Sequence, residues 1–327
     1  MTAKPLPAGY QAALEGAAWY AIPQPGCLLI SGRDRINFLQ RQTTHDIRLL
    51  ESQHALPTVL TTPNARILDV LYLLPGPGEL ITALTLPGLG ATTAAYFKKR
   101  IFFMDQVEID DVSAQVAQID LVGPGQSDIT KRLGFTSHPA ADEVLSLEWE
   151  GHTIHLLHNS TPLWIGWRLV APLACLPALQ VAFEQAGAEA LAPEIYHLFH
   201  VENGIPQTRA ELIEDFTPLE TGLHSAISDS KGCYTGQEII ARQITYDKIT
   251  QHLCGLRLTS LPEIGSPVWQ AERSIGRVTS TALSPRFGPV ALAIIKRPHH
   301  EPGTIVKVGS HANQAHEAWV SGLPFAL

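Results

Sequence analysis

The chain has 327 residues, 45% of them hydrophobic, enough apolar material for two or three packed cores. Its formal net charge of −8 argues against a surface built to track phosphates, so direct nucleic-acid binding is not expected. Four cysteines (Cys27, Cys175, Cys233, Cys254) without any C-x-x-C spacing point to a reducing compartment and to no self-contained zinc or cluster site.

At the N-terminus, residues 1–11 lack a basic segment followed by an apolar run, so no signal peptide is expected. A strand at 27–31 is followed by an amphipathic helix at 34–42 with Ile36, Phe38 and Leu39 inward. Strands at 55–62 and 66–74 flank the turn Pro63-Asn64-Ala65 as a hairpin. Pro75-Gly76-Pro77-Gly78 ends that hairpin, and a third strand returns at 80–84. The segment 90–102 reads as a helix with Lys98-Lys99-Arg100 near its end, where cations suit the helix dipole and solvent.

The middle of the chain continues with a strand at 114–122, a helix at 126–133, strands at 153–157 and 164–170, and helices at 176–186 and 193–201. This order suits an α+β fold of sandwiches, not a doubly wound parallel sheet. The longest apolar stretch, 169–183, is broken by Pro172 and Pro177 and is too short to span a bilayer. A soluble, cytoplasmic protein without a membrane partner is the expectation. No G-x-G-x-x-G or P-loop occurs, which removes dinucleotide binding and nucleotide hydrolysis as leading ideas. After residue 246 the texture changes to short β segments at 252–258, 274–282, 290–296, 304–308 and 316–321, as in a small barrel. The expected division is therefore 1–246 and 247–327.

Among fourteen histidines, His152, His155 and His158 are the nearest to a metal-binding set. On a strand, successive members of that triplet fall on opposite faces and cannot converge. No stably bound metal is expected.

The most informative run is Lys231-Gly232-Cys233-Tyr234-Thr235-Gly236-Gln237-Glu238. Thr235 and Glu238 have the spacing of a capping box that opens a helix at Ile239 and Ile240. A thiol there would feel the positive helix end and the Lys231 ammonium, both favouring thiolate. The two glycines would open the backbone around the sulfur. The plainer alternatives are a small buried cysteine and a solvated Glu238–Arg242 pair at i,i+4. Further upstream, Glu202 ends a helix, where a carboxylate opposes the dipole and needs a compensating donor. A ligand with paired N–H groups would serve, as would an ordinary salt bridge. Tyr196 on the same helix could stack a flat heterocycle or pack in the core.

The run 231–238, continuing Ile239-Ile240-Ala241-Arg242, resembles the signature of the YgfZ-type folate-binding proteins. These are iron–sulfur cluster assembly and repair relatives of the glycine-cleavage T-protein, an aminomethyltransferase. The resemblance extends over Ile30-Ser31-Gly32-Arg33-Asp34 with Phe38-Leu39-Gln40 and Thr44, and over Glu202-x-Gly204-Ile205-Pro206. It also takes in Pro218-x-Glu220-x-Gly222-Leu223 and Ile275-Gly276-Arg277-Val278-Thr279-Ser280 with Ser284-Pro285. It implies a T-protein-like ring of three domains around a folate channel, the first two interleaved in sequence and the last a β-barrel. It also implies tetrahydrofolate or a derivative as cofactor, with Tyr196 lining its pocket; a folate contact for Glu202 follows only from the carboxylate chemistry above. Lys231, Gly232, Tyr234, Gly236, Gln237, Glu238 and Arg242 carry over as the signature, with Cys233 as the functional thiol.

Three departures from the T-protein pattern matter. Val70 stands where the T-protein has its transfer carboxylate, so aminomethyl transfer is not expected. The usual Pro-x-Gly-Arg turn reads Pro63-Asn64-Ala65-Arg66, and Tyr246-Asp247 replaces a common Arg-Gly. The reading is a folate-binding accessory protein for iron–sulfur clusters in client enzymes, tRNA-modifying radical-SAM enzymes included, with folate and cluster client or carrier proteins as partners. The alternatives are a tetrahydrofolate-dependent one-carbon transferase and a folate-binding regulator with a structural Cys233.

Overall fold

The computed structural model describes residues 6–7, 9–50, 54–159 and 161–326. They divide into two compact units, the first running to residue 193 and adding 225–237, the second comprising 194–224 and 238–327.

The first unit opens with α1 (Tyr10–Glu15) and β1 (Ala18–Ala21). Then follow β2 (Gly26–Ser31), α2 (Arg35–Gln42), β3 (Leu56–Thr61), β4 (Ile67–Pro75), β5 (Leu80–Thr85), α3 (Gly90–Lys98) and β6 (Glu108–Asp111). The chain next runs through β7 (Val116–Val122), α4 (Gln126–Leu133), β8 (Val144–Trp149), β9 (His152–His158), β10 (Trp167–Pro172), α5 (Leu176–Gln185) and β11 (Glu189–Ala190). The two runs have the same order of strands and helices. Their sheets match as well: β3-β4-β5-β2-β6 in one and β8-β9-β10-β7-β1-β11 in the other, with β1 inserted before the last strand. Both strand-to-helix corners use a glycine at positive φ, Gly32 at 97° and Gly123 at 106°, where an added Cβ would strike the carbonyls of Gln106 and Gly16. The first unit is thus a structural duplication that the sequence alone does not display.

Each sheet has its own core. Phe38, Leu39, Leu60, Leu71 and Phe97 are among the buried residues of the first repeat, and Ile119, Leu156, Leu169 and Phe183 among those of the second. A further cluster joins the two sheets through Cys27, Tyr72, Leu84, Leu157, Trp164 and Val170. Beside it, Arg168 makes two bonds to the Asp120 carboxylate, at 2.7 and 3.0 Å, and lies over the Trp164 ring. The pair is buried, and its charges are matched in the geometry such burial demands.

The second unit contains α6 (Pro193–Asn203, whose first residue belongs to the first unit), α7 (Gln237–Thr245, likewise) and a closed barrel. The barrel strands are β12 (Gln251–Leu258), β13 (Pro267–Gln270), β14 (Arg273–Ser284), β15 (Gly288–Lys296), β16 (Ile305–Val308) and β17 (His316–Ser321). They close in the order β12-β15-β14-β13-β16-β17 around Leu256, Val268, Val278, Ala293 and Val306.

Two expectations change. The helix at 90–102 stops at Lys98; Ile101 still packs against the core of the first repeat, but Phe102, Phe103 and Met104 beyond it face solvent in a loop. The boundary at 246 also moves, since 194–224 and α7 belong with the barrel. The reason is polar: Ser280 and Ser284 on β14 donate to the carboxylates of Glu211 and Glu202, each at 2.6 Å. His197 on α6 adds a contact to the Thr281 carbonyl at 3.0 Å.

Candidate functional site: the cysteine loop of the first unit

The loop 225–237 returns to the first unit and is sewn to the first repeat at three places. The hydroxyl of Thr44 donates to the Ala226 carbonyl at 2.6 Å and accepts from the Val59 amide at 2.9 Å. The amide of Thr235 donates to the Arg41 carbonyl, and the Thr235 carbonyl accepts from the Thr61 hydroxyl at 2.7 Å. Gly236, at φ 88°, lies on the β3–β4 turn, where an added Cβ would sit 2.7 Å from Thr61 Oγ1 and 2.9 Å from the Thr62 carbonyl. That turn keeps its bend without the usual glycine because Ala65 itself adopts φ 56°. A non-glycine residue there bears strain of about 1 kcal/mol.

Lys231 has a different role from the one its position suggests. Its side chain is buried, and Nζ donates to the carbonyls of Thr43 at 2.7 Å and His45 at 2.6 Å, with the Tyr234 ring 4.9 Å away. Thr43 is the C-cap of α2, so Lys231 supplies a cation and a donor to a helix-end carbonyl that lacks an intrahelical partner, and a second donor to the His45 carbonyl just beyond the helix. Burial pushes its amine down to about 8, despite the attraction of Asp46. Tyr234 is also buried, and burial pushes its phenol up to about 12. Lys231 and Tyr234 are therefore anchors, while Gly232 and Cys233 between them are exposed. Gln237 closes the loop with a 3.4 Å bond from Nε2 to the Lys231 carbonyl.

Cys233 is free and exposed, whereas Cys27, Cys175 and Cys254 are buried. Burial pushes the Cys27 and Cys254 thiols up to about 12 and that of Cys175 upward. What presents the Cys233 sulfur is the pair of flanking anchors. The expected priming by Lys231 does not hold, because that amine is turned inward onto α2. The expected capping box does not hold either. Gly236 has a non-helical φ and the helix starts at Gln237, so Thr235 lies too early to cap it. Glu238 instead pairs with Arg242 at 2.6 Å, and both side chains are solvated, so the pair contributes little. Gly232 needs no glycine conformation, and an added Cβ there meets nothing within 4 Å.

Tyr196 and Glu202 lie in the second unit. Tyr196 is half-buried, with its ring 4.5 Å from that of His200. Glu202 is buried, and its carboxylate accepts from Ser284, which also accepts from the amides of Arg286 and Phe287. The donor that a helix-end carboxylate requires is thus a serine of the same unit. A partly open tyrosine ring suits a flat heterocycle, but a Glu202 sealed by Ser284 does not suit a folate contact.

The sequence did not foretell the role of Asp69. Its side chain is fully buried, accepting from the amides of Val70 at 2.8 Å and Leu86 at 3.0 Å and from the Thr93 hydroxyl at 2.5 Å. Burial pushes its carboxyl up to about 7 against these bonds. It ties β4 to α3 and is unavailable to a substrate, while Val70 beside it is buried too.

A duplicated α+β unit with an anchored thiol loop, and a second unit built on a closed barrel, define a class of chain. Residues 251–326 match the family model of the glycine cleavage T-protein C-terminal barrel domain. The crystal structure of the glycine cleavage system aminomethyltransferase T from Bartonella henselae superimposes with a TM-score of 0.85 at 19% identity, covering 97% of this chain and 88% of that one. In sequence, the chain is 30% identical over 295 residues to a chloroplastic protein of Arabidopsis thaliana named provisionally as a transferase, covering 87% of this chain but 66% of that protein. It is 27% identical over 319 residues to the aminomethyltransferase of Moorella thermoacetica, covering 94% of this chain and 86% of that one. The chain is a relative of the T-protein aminomethyltransferases and has their fold. No helix among the described residues is long and apolar enough to cross a membrane.

Proposed function

We propose that this chain is a folate-binding accessory protein that assists assembly or repair of iron–sulfur clusters in client enzymes, tRNA-modifying radical-SAM enzymes among them, through the Cys233 thiol. The observation that carries this reading is the exposed Cys233 between two buried anchors, in a T-protein fold; the resemblance in sequence adds Val70 where the T-protein has its transfer carboxylate. Asp69 cannot substitute for that carboxylate, because it is committed to Thr93, Leu86 and Val70 inside the unit. One thiol cannot hold a cluster that takes four protein ligands. Its role is transient: the sulfur loses its proton to solvent as it binds iron from a client or carrier protein, and regains one on release. Tetrahydrofolate, when bound, supplies a reduced pterin that can accept one carbon. Tyr196 offers a stacking ring for it, and Glu202, through Ser284, fixes the helix that carries Tyr196.

The test is Cys233→Ser in cells that lack the native chain. Activity of a tRNA-modifying cluster enzyme should fall to the level of the empty cells, while calorimetric titration of tetrahydrofolate into the purified variant should match the parent. Full enzyme activity with Cys233→Ser would remove the cluster role and leave a folate-binding regulator. The aminomethyltransferases among its relatives support a second reading, one-carbon transfer. Methylenetetrahydrofolate formed from an aminomethyl donor and tetrahydrofolate would establish that reading instead.

A further inference from the structure

Away from the thiol, the most unusual surface of the first unit is the turn after α3. Phe102 is 64% exposed, Phe103 96% and Met104 72%, three large apolar side chains in succession. The turn is tightly held. The Asp105 amide donates to the Phe102 carbonyl at 2.9 Å, and the Asp105 carboxylate accepts from the Phe102 amide at 3.1 Å. Arg41 pairs with the same carboxylate at 2.8 Å and lies 5.8 Å from the Phe102 ring. Holding Phe103 and Met104 in water forgoes the stabilisation that burial of such side chains provides. Contiguous apolar exposure of this kind marks an interaction site.

Charge selects the occupant. Lys98 and Lys99 end α3 with both side chains exposed, in a chain whose net charge is −8. Arg100 is turned aside onto the Tyr96 ring, 3.4 Å from its centroid, so the two lysines are the cations that face outward. Past the turn in the chain, Glu108 and Asp110, on one face of β6, are exposed. An anionic bilayer would meet those carboxylates along with the lysines, and two apolar side chains make a weak membrane anchor. A protein pocket can place its own carboxylates on the lysine side alone. Aromatic and methionine side chains are also typical anchors of protein interfaces.

The turn is joined to the thiol loop by one residue. Arg41 holds Asp105 with its guanidinium, and its carbonyl accepts from the amide of Thr235, two residues past Cys233. We propose that Phe103 and Met104 form a knob that docks a protein partner carrying an apolar pocket edged with carboxylates, with Lys98 and Lys99 pairing to that edge beside the Cys233 loop. The docking stands on exposure and charge; only the identity of the partner as a cluster client rests on the function proposed above.

A photoreactive benzoylphenylalanine placed at position 103 of the full chain tests this in cells. The expected result is one dominant crosslinked protein whose captured peptide contains apolar residues together with Asp or Glu. Capture should fall at least tenfold in the double variant Lys98→Glu/Lys99→Glu. The purified partner should bind Phe103→Ala/Met104→Ala at least tenfold more weakly than the parent. Because the substituted side chains are exposed, melting temperatures should match the parent, which separates loss of docking from loss of fold. Four results would overturn the proposal: crosslinks only to a second copy, co-sedimentation with phosphatidylserine vesicles, capture indifferent to the lysine reversal, or no capture. A partner that holds no cluster would leave the docking intact and count against the cluster reading alone.

Discussion

The two repeats of the first unit share a topology and differ at their ends, and the site lies on the repeat that cannot finish itself. Helix α4 terminates on Gly134 at φ 107°, with the amides of Gly134 and Phe135 bonding back to Lys131 and Thr130. This is a self-contained glycine cap. Helix α2 ends at Thr43 in extended conformation, and the carbonyls of Thr43 and His45 take their donors from Lys231, 188 and 186 residues away. The hairpins differ in the same way. Glu150 and Gly151 turn β8 into β9 with positive φ at both positions, a two-residue turn with open space beside Gly151. The β3–β4 turn bears Gly236 against it. One repeat is self-sufficient, and the other recruits a distant loop that carries a thiol.

Four changes probe this contrast, from the largest expected effect to the smallest. Lys231→Met strands the buried Thr43 carbonyl and the part-buried His45 carbonyl and should cost about 3 kcal/mol in urea denaturation, whereas Lys131→Met on α4 should cost under about 0.5 kcal/mol. Equal effects would abolish the contrast. Gly236→Ala meets backbone at a positive φ and should cost about 2 kcal/mol or more, against about 1 kcal/mol for Gly151→Ala, measured the same way.

The third change concerns Asp69 in the first repeat. Its carboxyl titrates near 3.8 when unfolded and at about 7 when folded, so between those values the folded chain keeps a proton that the unfolded chain has lost. The stability it contributes is therefore complete below pH 3.8 and declines as pH rises towards 7. Asp69→Asn should remove that slope, read from urea midpoints at about pH 4.5 and 7.5; an unchanged slope would show that another group sets it. Cys233→Ser should be the mildest, within about 0.5 kcal/mol of the parent. Its signature is chemical: Ellman's reagent should titrate one thiol in the native parent, none in the native variant, and all four in the unfolded parent. More than one fast thiol in the native parent would mean that the buried cysteines are reachable.

Much of the fold was legible, because alternation along strands and the glycines and prolines between them are local signals. The barrel segments 316–321 and 252–258 and the helix 126–133 fall almost where periodicity put them. Four-residue strands such as β1 and β13 carry too few alternations to stand out. The expected helix at 90–102 is too long because Phe102 to Met104 continue the apolar run of Ile101, and nothing local says that they, unlike Ile101, face water. At the site, the sequence singled out the loop 231–238 but misassigned the partners of its residues. Lys231 and Thr235 seemed tied to Cys233 and Glu238 by proximity along the chain. Their partners are Thr43, His45, Arg41 and Thr61, too distant in sequence for spacing to reveal. Glu202 is the reverse case: its need for a donor was readable, and the identity of Ser284 was not.

The separation of 188 residues between Lys231 and Thr43 also sets a timetable for biogenesis. At roughly 5–20 residues per second of translation, the end of α2 emerges about 10–40 seconds before the lysine that completes it. Over that interval its carbonyls lack the donor they have in the folded chain. The sulfur-bearing loop is thus pinned into place only when nearly three quarters of the polypeptide has been made, and display of the thiol reports that the preceding body has already assembled.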